Sequence, residues 1–204
     1  MKKEKVSLTK EKIKKVSIDL FNSTETLSIT TNHIAKSLGI SVGNLYYHYK
    51  NKEEIIREIY AQMSSEFESL DMFSSIMESS EPLEELSKMF DSFGELFWKY
   101  RFLMRDSALL MALDKELKTM FMINQEKRIH QIQMLLRFLI SKQIIKNISE
   151  EEIVMRAKLN WFISAYWQIF ASTSGELTKE SIKEAKEIIF KLHLEPLLLK
   201  KTDN

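Results

Sequence analysis

Apolar residues along this chain recur at helical spacing, and nowhere do they alternate between turn signals in the way a strand requires. The first clear stripe begins after Thr9, with Ile13, Val16, Leu20 and Phe21 on one side and Lys10, Lys12, Lys14 and Lys15 on others. A polar cluster at 22–26 ends it. Thr30 or Thr31 then caps a short helix that buries Ile34, Ala35 and Leu38, and Gly39 stands where a left-handed C-cap is expected. Ser41 caps a third helix with Leu45 and Tyr49 pointing inward. Asn51 and Glu54 are spaced as a capping box for a long fourth helix from Lys52, whose buried face is Ile55, Ile56, Ile59, Tyr60 and Met63.

The pattern weakens after Ser64, and the serines before Pro82 place a loop somewhere in 71–81. Pro82 opens a helix to about Tyr100, carrying Leu83, Leu86, Met89, Phe90, Phe93, Leu96 and Phe97. A shorter apolar helix covers 101–114, and a long one covers 115–143 with Ile129, Ile132, Leu136 and Leu139 on one face. Ser149 and Glu152 form a second box, for a helix running to Thr173 and closed by Gly175. Thr178 starts the last helix, which Pro196 stops. The prediction is an all-α fold of about nine helices, with no sheet and no internal repeat.

Composition agrees with long helices. There are only 4 Gly and 2 Pro in 204 residues, with 44% apolar and 29% charged side chains. The absence of Cys removes disulfides and thiolate chemistry. The first residues are basic but precede no apolar core, so they do not read as a secretory leader. The longest uncharged run, 159–175, is interrupted by Asn160, Ser164, Gln168 and Ser172 and reads as a buried helix rather than a membrane span. A cytoplasmic protein with no membrane partner and no cofactor is expected.

Charge changes the picture more than composition does. Residues 1–52 carry ten Lys against four acidic side chains, a net +6, while the whole chain is at +1, so the rest carries −5. A basic head on an acidic body suits a polyanionic partner for the head alone. Inside that head, residues 30–52 read as helix, tight turn, helix. A major groove about 12 Å wide admits one helix, and residues 42–48 form a candidate short enough for most outward side chains to reach DNA. Val42 can touch a thymine methyl, Gly43 lets the backbone approach, and Asn44 can pair with a base edge. Tyr46, Tyr47 and His48 can stack on sugars or donate to phosphates. Thr30, Thr31 and Ser41 lie at helix N-termini, and Lys52 at another, where phosphate is favoured.

The run Phe21, Thr30-Thr31, Ile34-Ala35, Leu38-Gly39-Ile40-Ser41, Gly43, Leu45-Tyr46, His48-Tyr49 and Lys52-Glu53 resembles the N-terminal domain of TetR-family transcriptional regulators, over about residues 9–60. The resemblance implies that Thr31, Tyr46, His48 and Lys52 contact the DNA backbone and that Val42, Gly43, Asn44 and Tyr47 read bases. It also implies an all-α homodimer whose C-terminal domain binds a small effector, with a DNA-binding domain at 1–52 and an effector and dimerisation domain at 53–204. Two positions depart from the family habit. Glu25 stands where a Gly is usual after the first helix, and Val16-Ser17 where an Ala pair is common.

The body carries no fixed motif. An effector cavity needs space between helices and few polar groups. The aromatic cluster with polar neighbours makes Phe97, Trp98, Phe102, Arg105, Phe121, Asn124, Gln125, Arg128 and Tyr166 the candidates for a partly apolar small molecule. The helix over 153–173 has one narrow polar stripe and is otherwise apolar, so it must be covered on two sides. With the last helix it suggests a four-helix interface between two chains, through Trp161, Trp167, Phe170, Ile182 and Ile189. Two reading helices about 34 Å apart would then recognise a pseudo-palindrome. The expected function is a ligand-responsive repressor, with an architectural or division-control DNA-binding protein lacking an effector as the alternative. Catalysis is not expected: His33, His48, His130 and His193 are scattered, and neither a metal motif nor a Gly-rich phosphate loop occurs.

Overall fold

The computed structural model describes residues 2–70 and 72–199, with side chains from Val6 onward and none at Met72. The side chains of Lys2, Lys3 and Lys5, which belong to the basic head, and the chain ends at Met1 and 200–204 lie outside the described residues. In order, the α-helices are α1 (Lys2–Ser23), α2 (Thr31–Leu38), α3 (Val42–His48), α4 (Lys52–Ser69), α5 (Met72–Glu78), α6 (Pro82–Lys99), α7 (Arg101–Arg105), α8 (Ser107–Leu113), α9 (Lys115–Ser141), α10 (Glu150–Ser172) and α11 (Lys179–Ile188). A 3-10 turn, Thr26–Ser28, separates α1 from α2. A π-helical stretch, Ile189–Leu194, and a second 3-10 turn, Glu195–Leu197, follow α11. The fold is all-helical. Among the described residues the only β pairing is one isolated antiparallel bridge between Ile145 and Leu198.

The helices are more finely cut than their apolar pattern suggests. Part of the expected loop at 71–81 is the short helix α5, whose Ile76 is fully buried. One expected helix at 101–114 is two, because the backbone breaks at Asp106. Local signals set many of the ends. Ser41 Oγ accepts from Asn44 N at 3.1 Å, Ser149 Oγ from Glu152 N at 3.1 Å, and Thr178 Oγ1 from Ser181 N at 3.2 Å. The two expected capping boxes are only half made. Asn51 caps Glu54 N, but the Glu54 carboxylate turns to Lys50 N instead of Asn51 N, and the Glu152 carboxylate turns to Arg156. α9 ends in a left-handed residue that is not a glycine, Gln143 at φ 55°, with Ile144 N returning to Leu139 O at 3.0 Å.

The chain divides into two compact units. The first is the chain through Ser69 with Lys99–Lys118, and the second is Leu70–Trp98 with the chain from Thr119. The first unit packs Ile13, Phe21, Ile34, Leu45, Tyr49, Ile55, Ile59, Tyr100, Phe102 and Leu103 at or near zero exposure. The buried face of α1 is Ile13, Ser17, Ile18 and Phe21, with Val16 only half-buried, so Ser17 and not its neighbour turns inward. The second unit buries Leu86, Met89 and Phe93 of α6, Leu135, Leu136 and Leu139 of α9, Ile153 and Ala157 of α10, and Ala185, Ile189, Leu194 and Leu197 at the C-terminal end. α6 and α11 approach closely at Gly94, where an added Cβ would lie 3.3 Å from Ile182 Cγ2.

Candidate nucleic-acid interface

The reading unit is built by its caps. Thr30 and His33 form a reciprocal box: Thr30 Oγ1 accepts from His33 N at 3.4 Å, and His33 Nδ1 accepts from Thr30 N at 3.2 Å. His33 stands where Glu or Gln is usual, so its capping role was not legible from the box pattern. Gly39, at φ 71°, turns the chain after α2, and Ile40 N reaches back to Ala35 O at 3.0 Å. Ser41 then starts α3. A helix of seven residues holds its direction only if anchored, and α3 is anchored at Leu45, which is fully buried, and Tyr49 at its C-cap.

Tyr49 is fixed chemically as well as by packing. Its hydroxyl donates to Glu58 Oε2 at 2.7 Å, and Lys10 Nζ donates to Glu58 Oε1 at 2.6 Å while lying 4.6 Å above the Tyr49 ring. Burial and the neighbouring Glu58 carboxylate raise the Tyr49 pKa, which keeps the hydroxyl a donor. Burial pushes Glu58 up, but the hydrogen bonds from Lys10 and Tyr49 and the charges of Lys10 and Lys14 bring it below the ordinary carboxylate value.

With one face so held, the other is presented outward. Gly43, Asn44, Tyr46 and Tyr47 are exposed, Tyr47 by 67%, and Val42 and His48 are half-buried. The fold does not require a glycine at 43, because a Cβ there would meet nothing within 4 Å. Thr31 Oγ1 and Tyr46 OH lie 3.1 Å apart and tie the start of α2 to α3. Tyr47 and His48 meet edge to face, with ring centroids 5.1 Å apart. Thr30 and Ser41 are exposed at their caps. Two exposed cations, Lys36 on α2 and Lys50 beyond α3, share the unit. They were missed in the sequence because neither sits at a helix start.

Lys52 opens α4, as the sequence expects, and its side chain turns to the loop before α2. Its ammonium donates to the carbonyls of Thr26 at 3.1 Å, Leu27 at 3.4 Å and Ile29 at 2.8 Å, and burial lowers its pKa. All three N–H bonds thus serve the loop before α2. Glu25, at the usual glycine position, has φ −59°, a conformation any residue adopts, so the substitution introduces no strain there.

The nine effector candidates fall in both units. Phe102 and Arg105 belong to the first unit. Phe102 is fully buried against Phe21, with centroids 5.0 Å apart, and the Arg105 guanidinium donates to Phe21 O, Thr24 O and Asp106. Phe97, Trp98, Phe121, Asn124, Gln125, Arg128 and Tyr166 belong to the second unit. There Gln125 Oε1 accepts from Trp161 Nε1 at 3.1 Å, Arg128 is buried and donates to Gln131 at 2.8 Å, and Tyr166 stacks on Phe162. A groove of about 270 Å³ in the second unit is lined by Phe90, Asp91, Gly94 and Ile182 among others. One of about 500 Å³ in the first is lined by Lys15, Asp19, Gln62, Lys99 and Arg101 among others. Neither contains any of the nine.

The interface candidates also divide. Phe170 is 61% exposed, and Trp167 packs on it with centroids 5.0 Å apart. Trp161 is tied to Gln125 of its own chain, Ile182 faces Gly94, and Ile189 is buried. Phe170 shares the outward apolar stripe of α10 with Met155, Leu159 and Phe162, spaced by four, three and eight along the chain, with Phe162 at 60% exposure.

Comparison with known proteins places this geometry. The family model described as bacterial regulatory proteins, tetR family, matches residues 15–59, and the TetR model described as bacterial transcriptional repressor matches residues 50–202. Among solved structures, a TetR-family transcriptional regulator from Marinobacter aquaeolei VT8 is 28% identical with a TM-score of 0.79, over 94% of this chain and 92% of that one. The TetR-family regulator PfmR from Thermus thermophilus is 18% identical with a TM-score of 0.67, over 90% and 98%. A TetR-family regulator from Pectobacterium atrosepticum is 14% identical with the same TM-score, over 97% of both chains. The last two show the shared fold. No curated protein matches.

Proposed function

The chain belongs to the TetR family of bacterial transcriptional regulators, and from that premise we propose that it is a repressor that binds a pseudo-palindromic operator as a dimer and is released by a small molecule. The observation that carries the reading is the outward face of α3. Gly43, Asn44, Tyr46 and Tyr47 are solvent-facing on a helix whose other side is locked by Leu45 and the Tyr49–Glu58–Lys10 cluster. In this reading Val42, Gly43, Asn44 and Tyr47 meet base edges in the major groove. Thr30, Thr31, Ser41, Tyr46 and His48 meet sugar and phosphate, joined by Lys36 and Lys50.

One reading helix of seven residues specifies too few bases, so selectivity requires two, about 34 Å apart. The outward stripe Met155, Leu159, Phe162 and Phe170 on α10 supplies the apolar surface for a second copy. Effector release is a population shift: a ligand between the helices of the second unit, near Phe97, Trp98, Phe121, Asn124, Gln125, Arg128 and Tyr166, favours a dimer whose heads are wrongly spaced.

Selection of duplexes from a random library by the full-length chain tests the reading. The expected product is a two-fold symmetric sequence. Asn44→Ala shifts the selected bases, whereas Tyr46→Phe weakens all duplexes alike. Recovery of no preferred duplex at moderate salt would overturn it.

A further inference from the structure

The side chain of Asp106 is used in an unusual way. It stands at the N-cap of α8, where an Asp ordinarily accepts from its own helix's amides, yet it makes no capping hydrogen bond. Its carboxylate is turned to a loop 80 residues earlier. Oδ2 accepts from Thr26 Oγ1 at 2.6 Å and from Thr26 N at 3.2 Å. Arg105 braces it, with Nε donating to Oδ1 at 2.8 Å and a terminal nitrogen to Oδ2 at 2.7 Å, and the same nitrogen reaches Phe21 O and Thr24 O. Burial raises the Asp106 pKa, but the hydrogen bonds from Arg105 and Thr26 and the Arg105 charge bring it below the ordinary value, so the acceptor stays ionised at neutral pH.

Thr26 is held from its other side too. It is buried, and its carbonyl is one of the three that take the Lys52 ammonium, the last being Ile29 O. Ile29 is followed by Thr30, the residue that caps α2. The entry to the reading pair is therefore clamped between a carboxylate from the α7–α8 corner and an ammonium from the start of α4. Both grips fall on backbone or on Thr26, so the clamp sets where the loop lies.

We propose that Asp106 is a positioning residue for DNA reading, acting through Thr26 and Lys52 to fix the loop from which α2 and α3 project. Lys52 belongs to the clamp and not to the phosphate-contact set. The inference rests on the DNA-binding reading above for its consequence, though not for its geometry.

The test uses full-length Asp106→Asn, Thr26→Val, Thr26→Ser and Lys52→Met, each confirmed folded by circular dichroism at the assay temperature. The probe is the duplex selected by the wild-type chain, titrated over a range of salt. Removing a hydrogen bond to a charged group should weaken binding by Asp106→Asn and Thr26→Val about tenfold. Thr26→Ser, which keeps both hydrogen bonds, should stay within about twofold of wild type, by the same conversion. All four should retain the wild-type salt slope, since no phosphate contact is removed. Amide exchange supplies a readout free of DNA. In Asp106→Asn and Thr26→Val, protection should fall over Thr31–Leu38 and Val42–His48 and hold in α10. Wild-type affinity and exchange in folded Thr26→Val would overturn the proposal. A Lys52→Met salt slope reduced by about one would return Lys52 to the phosphate contacts. If the wild-type chain selects no duplex, the DNA reading falls, and exchange over the same segments still decides whether the clamp positions them.

Discussion

Glu58 shows how much of the reading unit depends on single side chains. It takes Tyr49 and Lys10 together, and the two come from opposite ends of the head sequence. Its folded pKa lies below the unfolded value near 4.5, so its contribution is complete above that value and is lost as pH falls through the folded one. Glu58→Gln should therefore lower thermal stability at neutral pH and flatten its decline as pH falls below about 4.5, read as Tm against pH. His193 runs on the same sign for a different reason. Burial first, and then the positive Arg156, push its pKa down to about 4, and its buried Nε2 has no hydrogen-bond partner. The unfolded chain takes up that proton at about pH 6.5, so stability is lost between about pH 6.5 and about 4. His193→Gln should remove that part of the acid sensitivity in the same titration.

At the scale of elements, the caps decide where helices begin and one strained residue decides where α9 stops. Gln143 adopts φ 55°, which costs a residue with a Cβ about 1 kcal/mol relative to glycine. Gln143→Gly should raise unfolding stability by about that amount, less any gain in unfolded-chain entropy, and denaturant melting would measure it. The turn that follows carries more than its own geometry. Lys146 N donates to Leu197 O at 2.8 Å and Leu199 N to Ile144 O at 3.0 Å, so the end of α9 is paired to the C-terminal segment. The helices themselves were legible in sequence. α10 was recognised from its capping serine and apolar density, whereas the break at Asp106 was not, because the groups that hold Arg105 and Asp106, at Phe21, Thr24 and Thr26, are remote in sequence.

For the whole molecule, the proposed dimer makes the outward face of α10 the surface to probe. The apolar surface of the helix pointed to Trp161, Trp167 and Phe170 together with Ile182 and Ile189; of these Phe170 is exposed, while Trp161 donates to Gln125 within its own chain. The outward Leu159 and Phe162 are the better probes. Phe162→Glu should convert a dimer to monomer by sedimentation while leaving the helical signal intact, since a side chain already 60% exposed supports little of its own unit. A Phe162→Glu chain that stays dimeric would move the interface elsewhere. No helix among the described residues is long and apolar enough to cross a membrane, and the uncharged run at 159–175 lies largely in α10.

Sequence by itself determined what is settled within one helical turn. The 3.6-residue apolar period, Ser41, Ser149 and Thr178 as caps, a cap at Thr30 or Thr31, Gly39 as the left-handed turn and the outward set on α3 all follow from groups three or four residues apart. Tertiary structure alone decided what depends on distant partners. It gave Lys52 to three loop carbonyls, Asp106 to Thr26 and Trp161 to Gln125, and it turned Phe162 outward. A long polar or aromatic side chain can satisfy itself with any of several neighbours, and only the packed arrangement of helices fixes which one is within about 3 Å.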